Sequence, residues 1–228
     1  MLLLVLSLAP SAWADNSATN PVPRNGSSWM SRHERFLAEA KNGGIDLLFL
    51  GDSITDFWRR QGSNVWNQYY APRHAANFGI SGDRTEHVLW RIDHGELDGI
   101  QPRAVVLMIG TNNSNTNSPE DIALAIKMIT ERIHTKIPAT KILLLAIFPR
   151  NRTNDTPQQI EVNREVNRRI ASLGDGKTVT FLDINDKLVG PDGKVPREIM
   201  PDFLHPGAKG YEIWAEAMEP TLVRLLKP

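Results

Sequence analysis

The amino-acid sequence predicts an α/β fold, a three-layer α/β/α sandwich built around a five-stranded parallel sheet. Two observations predict it. Segments with helical spacing separate short apolar runs, as the crossover connections of a parallel sheet require. The runs have the length and composition of buried strands, and they span residues 45–50, 75–78, 104–109, 141–147 and 178–182. Ligands of such sheets bind beyond the carboxyl ends of the strands.

Capping residues predict where three of the helices begin. Asp83, followed three residues later by Glu86, has the spacing of a capping box. Ser118 and Thr156 are each followed by proline, which places a side-chain oxygen at the N-cap and proline at the first helical position. Two further helices are expected at residues 28–41, ended by two glycines, and at 208–226.

The N-terminus resembles a secretory signal peptide over residues 1–14. An apolar run at 1–9 is followed by Pro10 and by the small-residue pattern Ala12-Trp13-Ala14. A structural N-terminal helix is the alternative. One feature departs from the signal pattern, because no Lys or Arg precedes the run. The run is shorter than the roughly 20 apolar residues that span a membrane, and no later segment has that length. We therefore expect a secreted or periplasmic protein.

The rest of the chain divides into a short leader and one domain. Residues 15–27 are rich in Asn, Ser and Pro and lack apolar periodicity, which indicates a flexible leader or a strap across the domain surface. Residues 28–228 are of ordinary size for a single domain.

Composition excludes several classes of function. The chain carries 26 basic and 26 acidic residues, so no broad basic surface for nucleic acid is expected. It contains no cysteine, which excludes disulfides, a thiol nucleophile and thiolate metal sites. No cofactor or metal is predicted, and the composition leaves the oligomeric state open.

Residues that can donate hydrogen bonds from a side chain or from the backbone follow three of the predicted strands. Ser53 comes just after the first strand, Gly82 follows the second and Asn112 the third. Exits of parallel strands share one sheet edge, so a hydroxyl, a glycine N–H and an amide can converge there. Taken singly, Ser53 could be an ordinary helix cap, and Gly82 and Asn112 ordinary turn residues.

A histidine and a carboxylate lie just before the last predicted helix. Asp202 and His205 are separated by two residues, close enough for the carboxylate to accept the imidazole N–H. A serine hydroxyl is a weak nucleophile unless a base removes its proton. His205 can supply that base, and Asp202 can fix its tautomer. The residues that leave the fourth strand, 148–153, are a candidate substrate rim.

The ordered set Gly51-Asp52-Ser53, Gly82, Gly110-Thr111-Asn112 and Asp202-x-x-His205 resembles the four blocks of the SGNH, or GDSL, hydrolases. Residues 77–83, 87–91, 95–97 and 110–113 are similar to the catalytic subunits of platelet-activating factor acetylhydrolase, and secreted bacterial GDSL esterases carry similar blocks.

The resemblance implies a flavodoxin-like SGNH hydrolase fold and a serine esterase. It implies Ser53 as nucleophile, His205 as base and Asp202 as its orienting carboxylate. It also implies an oxyanion hole formed by the N–H groups of Ser53 and Gly82 and the side chain of Asn112. The expected substrate is an ester of a short acyl group, such as acetyl on a carbohydrate like acetylxylan, and a lipid ester is the alternative.

The sequence also leaves open two functions of other classes. Asp52, Asp83, Asp202 and His205 are residue types that could bind a hard metal ion for phosphoester hydrolysis, although this reading gives Ser53 and Asn112 no role. A non-catalytic glycan-binding protein on the same fold is the other, because fold does not fix function.

Overall fold

The computed structural model describes residues 17–227. The predicted signal peptide lies outside these residues. The part of the chain that the structure describes contains no helix long and apolar enough to cross a membrane.

The five predicted strands form one parallel sheet in the order β2-β1-β3-β4-β5. The predicted fold class is therefore confirmed. The strand order reverses direction at β1, which has β2 on one side and β3 on the other, so this is the point where a parallel sheet opens a crevice for a ligand. The strands are β1 Leu47–Gly51, β2 Ala75–Gly79, β3 Ala104–Met108, β4 Lys141–Leu145 and β5 Val179–Leu182.

Helices connect the strands and cover both faces of the sheet. They are α1 Ser27–Asn42, α2 Ser53–Asp56, α3 Ser63–Tyr69, α4 Thr85–Asp93, α5 Pro119–Lys136, α6 Pro157–Ile170, α7 Asn185–Leu188 and α8 Ala208–Leu225. A 3₁₀ turn at Ser17–Thr19 precedes α1.

Each strand contributes side chains to two separate cores, because successive residues of a strand point to opposite faces. In β1, Leu48 and Leu50 pack with α1, α4, α5 and α6, whereas Leu47 and Phe49 pack on the other face with α8. The second core is rich in aromatic rings, and its Trp58 is fully buried.

Two of the three predicted helix caps are present. The hydroxyls of Ser118 and Thr156 accept the N–H groups of residues 121 and 159, respectively. The prediction that Asp83 caps a helix is wrong. Helix α4 begins two residues later, with Arg84 at its N-cap, and the N–H of Arg84 donates to Nδ1 of His87 at 2.9 Å.

Candidate active site

Ser53 lies at the carboxyl end of β1, at the first residue of α2. The preceding Asp52 is the N-cap, and its Oδ1 accepts the N–H of Ile54 at 2.9 Å. Gly51 permits this tight exit, because a Cβ there would lie 2.3 Å from the carbonyl oxygen of Met108. Ser53 is buried, with 7% of the residue exposed to solvent.

The structure brings Ser53, His205 and Asp202 together in a chain of hydrogen-bonding distances. Ser53 Oγ lies 2.9 Å from Nε2 of His205, and Nδ1 of His205 lies 2.7 Å from Oδ2 of Asp202. Both distances lie within ordinary hydrogen-bond range. An Nδ1–H donated to the carboxylate leaves Nε2 free to accept the serine proton. The arrangement can therefore raise the nucleophilicity of the Ser53 hydroxyl.

The loop before α8 holds this carboxylate and imidazole in place. Oδ1 of Asp202 accepts the N–H groups of Leu204 and His205 at 3.1 and 2.7 Å. Phe203 adopts a left-handed backbone conformation, with φ of 60°, which turns the chain around the carboxylate. The ring of Phe57 packs against the imidazole at a centroid distance of 4.9 Å.

These contacts also set the charge of Asp202. Partial burial by itself would raise the pKa of its carboxyl, but the N–H groups and the imidazole of His205 outweigh burial and lower the pKa. Asp202 is therefore ionised at neutral pH and can accept the N–H of the His205 imidazole.

Gly82 and Asn112 follow β2 and β3, the two strands that lie on either side of β1. Nδ2 of Asn112 donates to the carbonyl oxygen of Asp83 at 2.8 Å, which ties the amide to the residue after Gly82 and leaves its second N–H available. Gly82 has φ of 82°, a conformation that favours glycine. Among residues 17–227, the N–H of Gly82 donates to no other group. Both residues therefore carry N–H groups able to bind an oxyanion.

A buried ion cluster supports this loop from behind. Nε of Arg91 lies 3.0 Å from Oδ2 of Asp83, its Nη1 pairs with Glu96, and all three side chains are fully buried. Trp29 Nε1 donates to Oδ1 of Asp83 at 2.7 Å. Burial raises the pKa of Asp83, and raises that of Glu96 to about 7. Nη1 of Arg91 also donates to the carbonyl oxygen of Phe78 in β2, at 3.0 Å.

Sequence reasoning missed this cluster. It assigned Asp83 to a helix cap, whereas the side chain turns inward to Arg91 and Trp29. The available signal was an arginine and a glutamate, Arg91 and Glu96, close to apolar residues that point into the core. Buried charges are rarely tolerated unless they are paired.

The four residues of the metal alternative do not form one ligand set. Asp83 is paired with Arg91, whereas Asp202 and His205 are paired with each other. Among the residues that the structure describes, no three His, Asp or Glu side chains are grouped to hold a metal ion.

A cavity of about 750 Å³ lies beside the ends of β4 and β5 and is lined by α6 and α7 residues such as Asn163 and Asn185. A second cavity of about 500 Å³ lies next to the His205 loop and is lined by Asp202, Phe203, Arg197 and residues 152–154. Part of the predicted rim, residues 152 and 153, therefore lies beside Asp202.

The fold and this constellation define a hydrolase of the α/β class with a serine beside a histidine. A family model of GDSL-like lipases and acylhydrolases matches residues 49–213. The chain is 35% identical to human platelet-activating factor acetylhydrolase IB subunit alpha1, over 93% of this chain and 92% of that protein. It is 37% identical to the rat alpha2 subunit, over 87% of this chain and 85% of the relative.

The chain therefore belongs to the GDSL-like lipase/acylhydrolase family and is a carboxylic ester hydrolase, as its motifs predicted. Solved structures share its fold. A GDSL-like lipase from Bacteroides thetaiotaomicron covers 84% of this chain and 97% of its own, with a TM-score of 0.65 and 20% identity. Axe2, an acetylxylan esterase from Geobacillus stearothermophilus, covers 82% of this chain and 95% of its own, with a TM-score of 0.59 and 19% identity.

Proposed function

We propose that this protein is a secreted serine esterase that removes short acyl groups, chiefly acetyl, from carbohydrates such as acetylxylan. The observation that carries the serine mechanism is the hydrogen-bonded series from Ser53 through His205 to Asp202, with distances of 2.9 and 2.7 Å.

In the proposed cycle, Ser53 Oγ attacks the ester carbonyl while Nε2 of His205 accepts its proton. The N–H groups of Ser53 and Gly82 and the amide of Asn112 stabilise the negative oxygen of the tetrahedral intermediate. His205 then returns the proton to the leaving alcohol. Water attacks the acyl-enzyme by the same route and releases the carboxylic acid.

The surroundings of Asp202 support a hydroxyl-rich alcohol. The adjoining cavity is lined by Arg152, Thr153, Asn154 and Arg197 together with Pro201 and Phe203, and the donors and acceptors of the first four residues suit the hydroxyls of a sugar. The acetyl group is supported by the names of two similar proteins, an acetylhydrolase and an acetylxylan esterase.

A lipid ester is the second candidate. It is supported by the 35% identity to the alpha1 subunit of platelet-activating factor acetylhydrolase, which extends over 93% of this chain. Both candidates share the short acyl group and differ in the alcohol.

Export is part of the proposal and is supported by the apolar run and small-residue pattern of residues 1–14. N-terminal sequencing of the exported protein should begin at Asp15. An intact Met1 on the exported protein would contradict cleavage.

Replacing Ser53 by Ala tests the nucleophile. Loss of the nucleophilic serine in a triad enzyme costs about 10⁶ in kcat, so Ser53→Ala should lose measurable turnover of p-nitrophenyl acetate and all labelling by a fluorophosphonate. Ser172→Ala, which changes an exposed serine on the surface, is the matched control. Near wild-type hydrolysis by Ser53→Ala would refute the mechanism.

Substrate choice is tested by comparing kcat/KM for acetyl, butyryl and octanoyl esters, acetylated xylan and an acetylated phospholipid. We expect acetyl esters and acetylated xylan to be preferred. Preference for the phospholipid would favour the second candidate, and a strong preference for octanoyl esters would exclude a short acyl group.

A further inference from the structure

Arg24, which lies in the segment before α1, reaches the loop that carries Gly82. Nη1 of Arg24 donates to the carbonyl oxygen of Ser81 at 2.6 Å and lies 3.6 Å from Oδ1 of Asp83. A Cβ on Gly82 would lie 2.9 Å from the same Nη1. The absence of a side chain at Gly82 therefore makes room for the guanidinium.

The carbonyl of Ser81 and the N–H of Gly82 belong to one peptide group. A cation that binds the oxygen of an amide draws electron density toward that oxygen and makes the N–H of the amide a stronger donor. It also fixes the plane of the peptide, and with it the direction in which the Gly82 N–H points. Preorganised donors are the ones that contribute to catalysis, since they need no rearrangement as charge develops.

We propose that Arg24 is a positioning residue for the oxyanion hole, which orients and polarises the Ser81–Gly82 peptide through the hydrogen bond to its carbonyl oxygen. This inference rests on the proposed function, because it takes the Gly82 N–H as an oxyanion donor.

The segment that carries Arg24 is anchored to the domain at several points. The Oγ1 of Thr85 donates to the carbonyl oxygen of Ala18 at 2.9 Å, and Ala18 is fully buried. The N–H of Val22 donates to the carbonyl oxygen of Glu86 at 3.4 Å. The segment therefore presents Arg24 to the loop from a fixed position beside the start of α4.

Other contacts hold the loop when Arg24 is removed. The hydroxyl of Ser81 donates to Asp56 at 2.8 Å, and Asp83 keeps its bonds to Trp29 and Arg91. A variant at position 24 is therefore expected to fold, and a loss of activity can be assigned to the peptide that Arg24 contacts.

The test compares Arg24→Gln, Arg24→Lys and Arg24→Ala in hydrolysis of p-nitrophenyl acetate. Removing a direct oxyanion donor costs about 10²–10³ in kcat. Arg24 acts through such a donor, so we expect Arg24→Gln to lower kcat about 10- to 100-fold, with KM within about threefold of wild type. Arg24→Lys keeps a charged donor and should lose less. Added guanidinium chloride, at concentrations well below those that unfold the protein, should restore part of the activity of Arg24→Ala.

Arg35→Gln, which changes an exposed arginine of α1, is the matched control and should retain wild-type kcat. Wild-type kcat in Arg24→Gln, beside an inactive Ser53→Ala, would overturn the role of Arg24 and leave the proposed function intact. A loss of activity that guanidinium does not restore and that follows a lowered melting temperature would overturn it too. Full activity in Ser53→Ala would instead overturn the proposed function itself.

Discussion

The two sides of the candidate site are built differently. The base arm, Asp202 and His205, lies on an open loop, and the Asp202 side chain is 46% exposed. The oxyanion arm, Gly82 and Asn112, lies against an ion cluster of Asp83, Arg91 and Glu96, whose side chains are fully buried. One arm therefore meets solvent, whereas the other is supported from the protein interior.

The difference matches what each arm is proposed to do. A base must gain and lose a proton in every turnover, and the side chain of His205, which does so, keeps 21% exposure to solvent. An oxyanion hole must keep its donors aimed at one point, and buried paired charges permit little movement. Substitutions in the base arm should therefore change catalysis without changing stability, and substitutions in the buried ion cluster behind the oxyanion arm should change stability.

Among the substitutions that compare the two arms, the largest effect is expected for Asp202→Asn. An asparagine at this position can present its N–H groups to His205, which favours the wrong tautomer and leaves Nε2 unable to accept the Ser53 proton. The corresponding change in a serine protease lowers kcat about 10⁴-fold, and we expect a loss of that order in hydrolysis of p-nitrophenyl acetate.

The unfolding free energy of Asp202→Asn should change little, because Oδ1 of asparagine can still accept the backbone N–H groups of Leu204 and His205. Asp98→Asn, which alters an exposed ion pair with Lys136 at 2.7 Å, should keep wild-type kcat. Near wild-type turnover by Asp202→Asn would remove Asp202 from the base arm.

A smaller effect, on stability, is expected for Arg91→Met. It leaves the carboxyl groups of Asp83 and Glu96 buried without their cation. Breaking a buried pair by removing one partner costs about 3–5 kcal/mol, which denaturant unfolding would detect. The loss should be smaller at pH 5 than at pH 8, because Glu96, whose pKa burial raises to about 7, is neutral at the lower pH.

The matched control is Arg132→Met, which breaks the partly exposed pair between Arg132 and Asp93 at 2.8 Å. Exposed pairs contribute up to about 1 kcal/mol. If Arg91→Met lost as little stability as Arg132→Met, the buried ion cluster would not be what stabilises the oxyanion arm.

The two arms also differ in how far the sequence predicted them. Asp202 and His205 are three positions apart, so their contact is local, and the pattern alone indicated it. Ser118 and Thr156 were predicted as caps for the same reason, since a cap bonds to a residue three positions away. Local patterns of this kind depend little on the rest of the fold.

The support of the oxyanion arm is long-range, and the sequence could not show it. Asp83 bonds to Trp29, which is 54 positions away, and this contact replaces the helix cap that local spacing predicted. Arg24 contacts Ser81, 57 positions away, whereas the composition of residues 15–27 indicated a flexible leader or a surface strap. Contacts between residues so far apart leave no local pattern in the sequence.

The smallest effect, counted per unit of pH, is expected for Asp52→Asn, as a change in the pH dependence of stability. Asp52 precedes Ser53, yet it is fully buried, its Oδ2 has no hydrogen-bond partner among the described residues, and burial raises its pKa from 3.8 to about 7. Between these pH values the folded protein keeps a proton that the unfolded chain has released. Stability from this carboxyl is therefore greatest in acid and is lost as pH rises through about 7, by at most about 1.4 kcal/mol per pH unit.

Asparagine has no proton to lose and can still accept the N–H of Ile54, as Oδ1 of Asp52 does at 2.9 Å. Urea unfolding from pH 4.5 to 7.5 should therefore show a stability that falls less steeply with pH in Asp52→Asn than in wild type. Asp186→Asn, which changes an exposed carboxylate paired with Lys187 at 2.7 Å, should follow the wild-type slope. Parallel curves for wild type and Asp52→Asn would mean that water reaches Asp52 in the folded protein. The residue before the nucleophile would then not share the burial of the ion cluster.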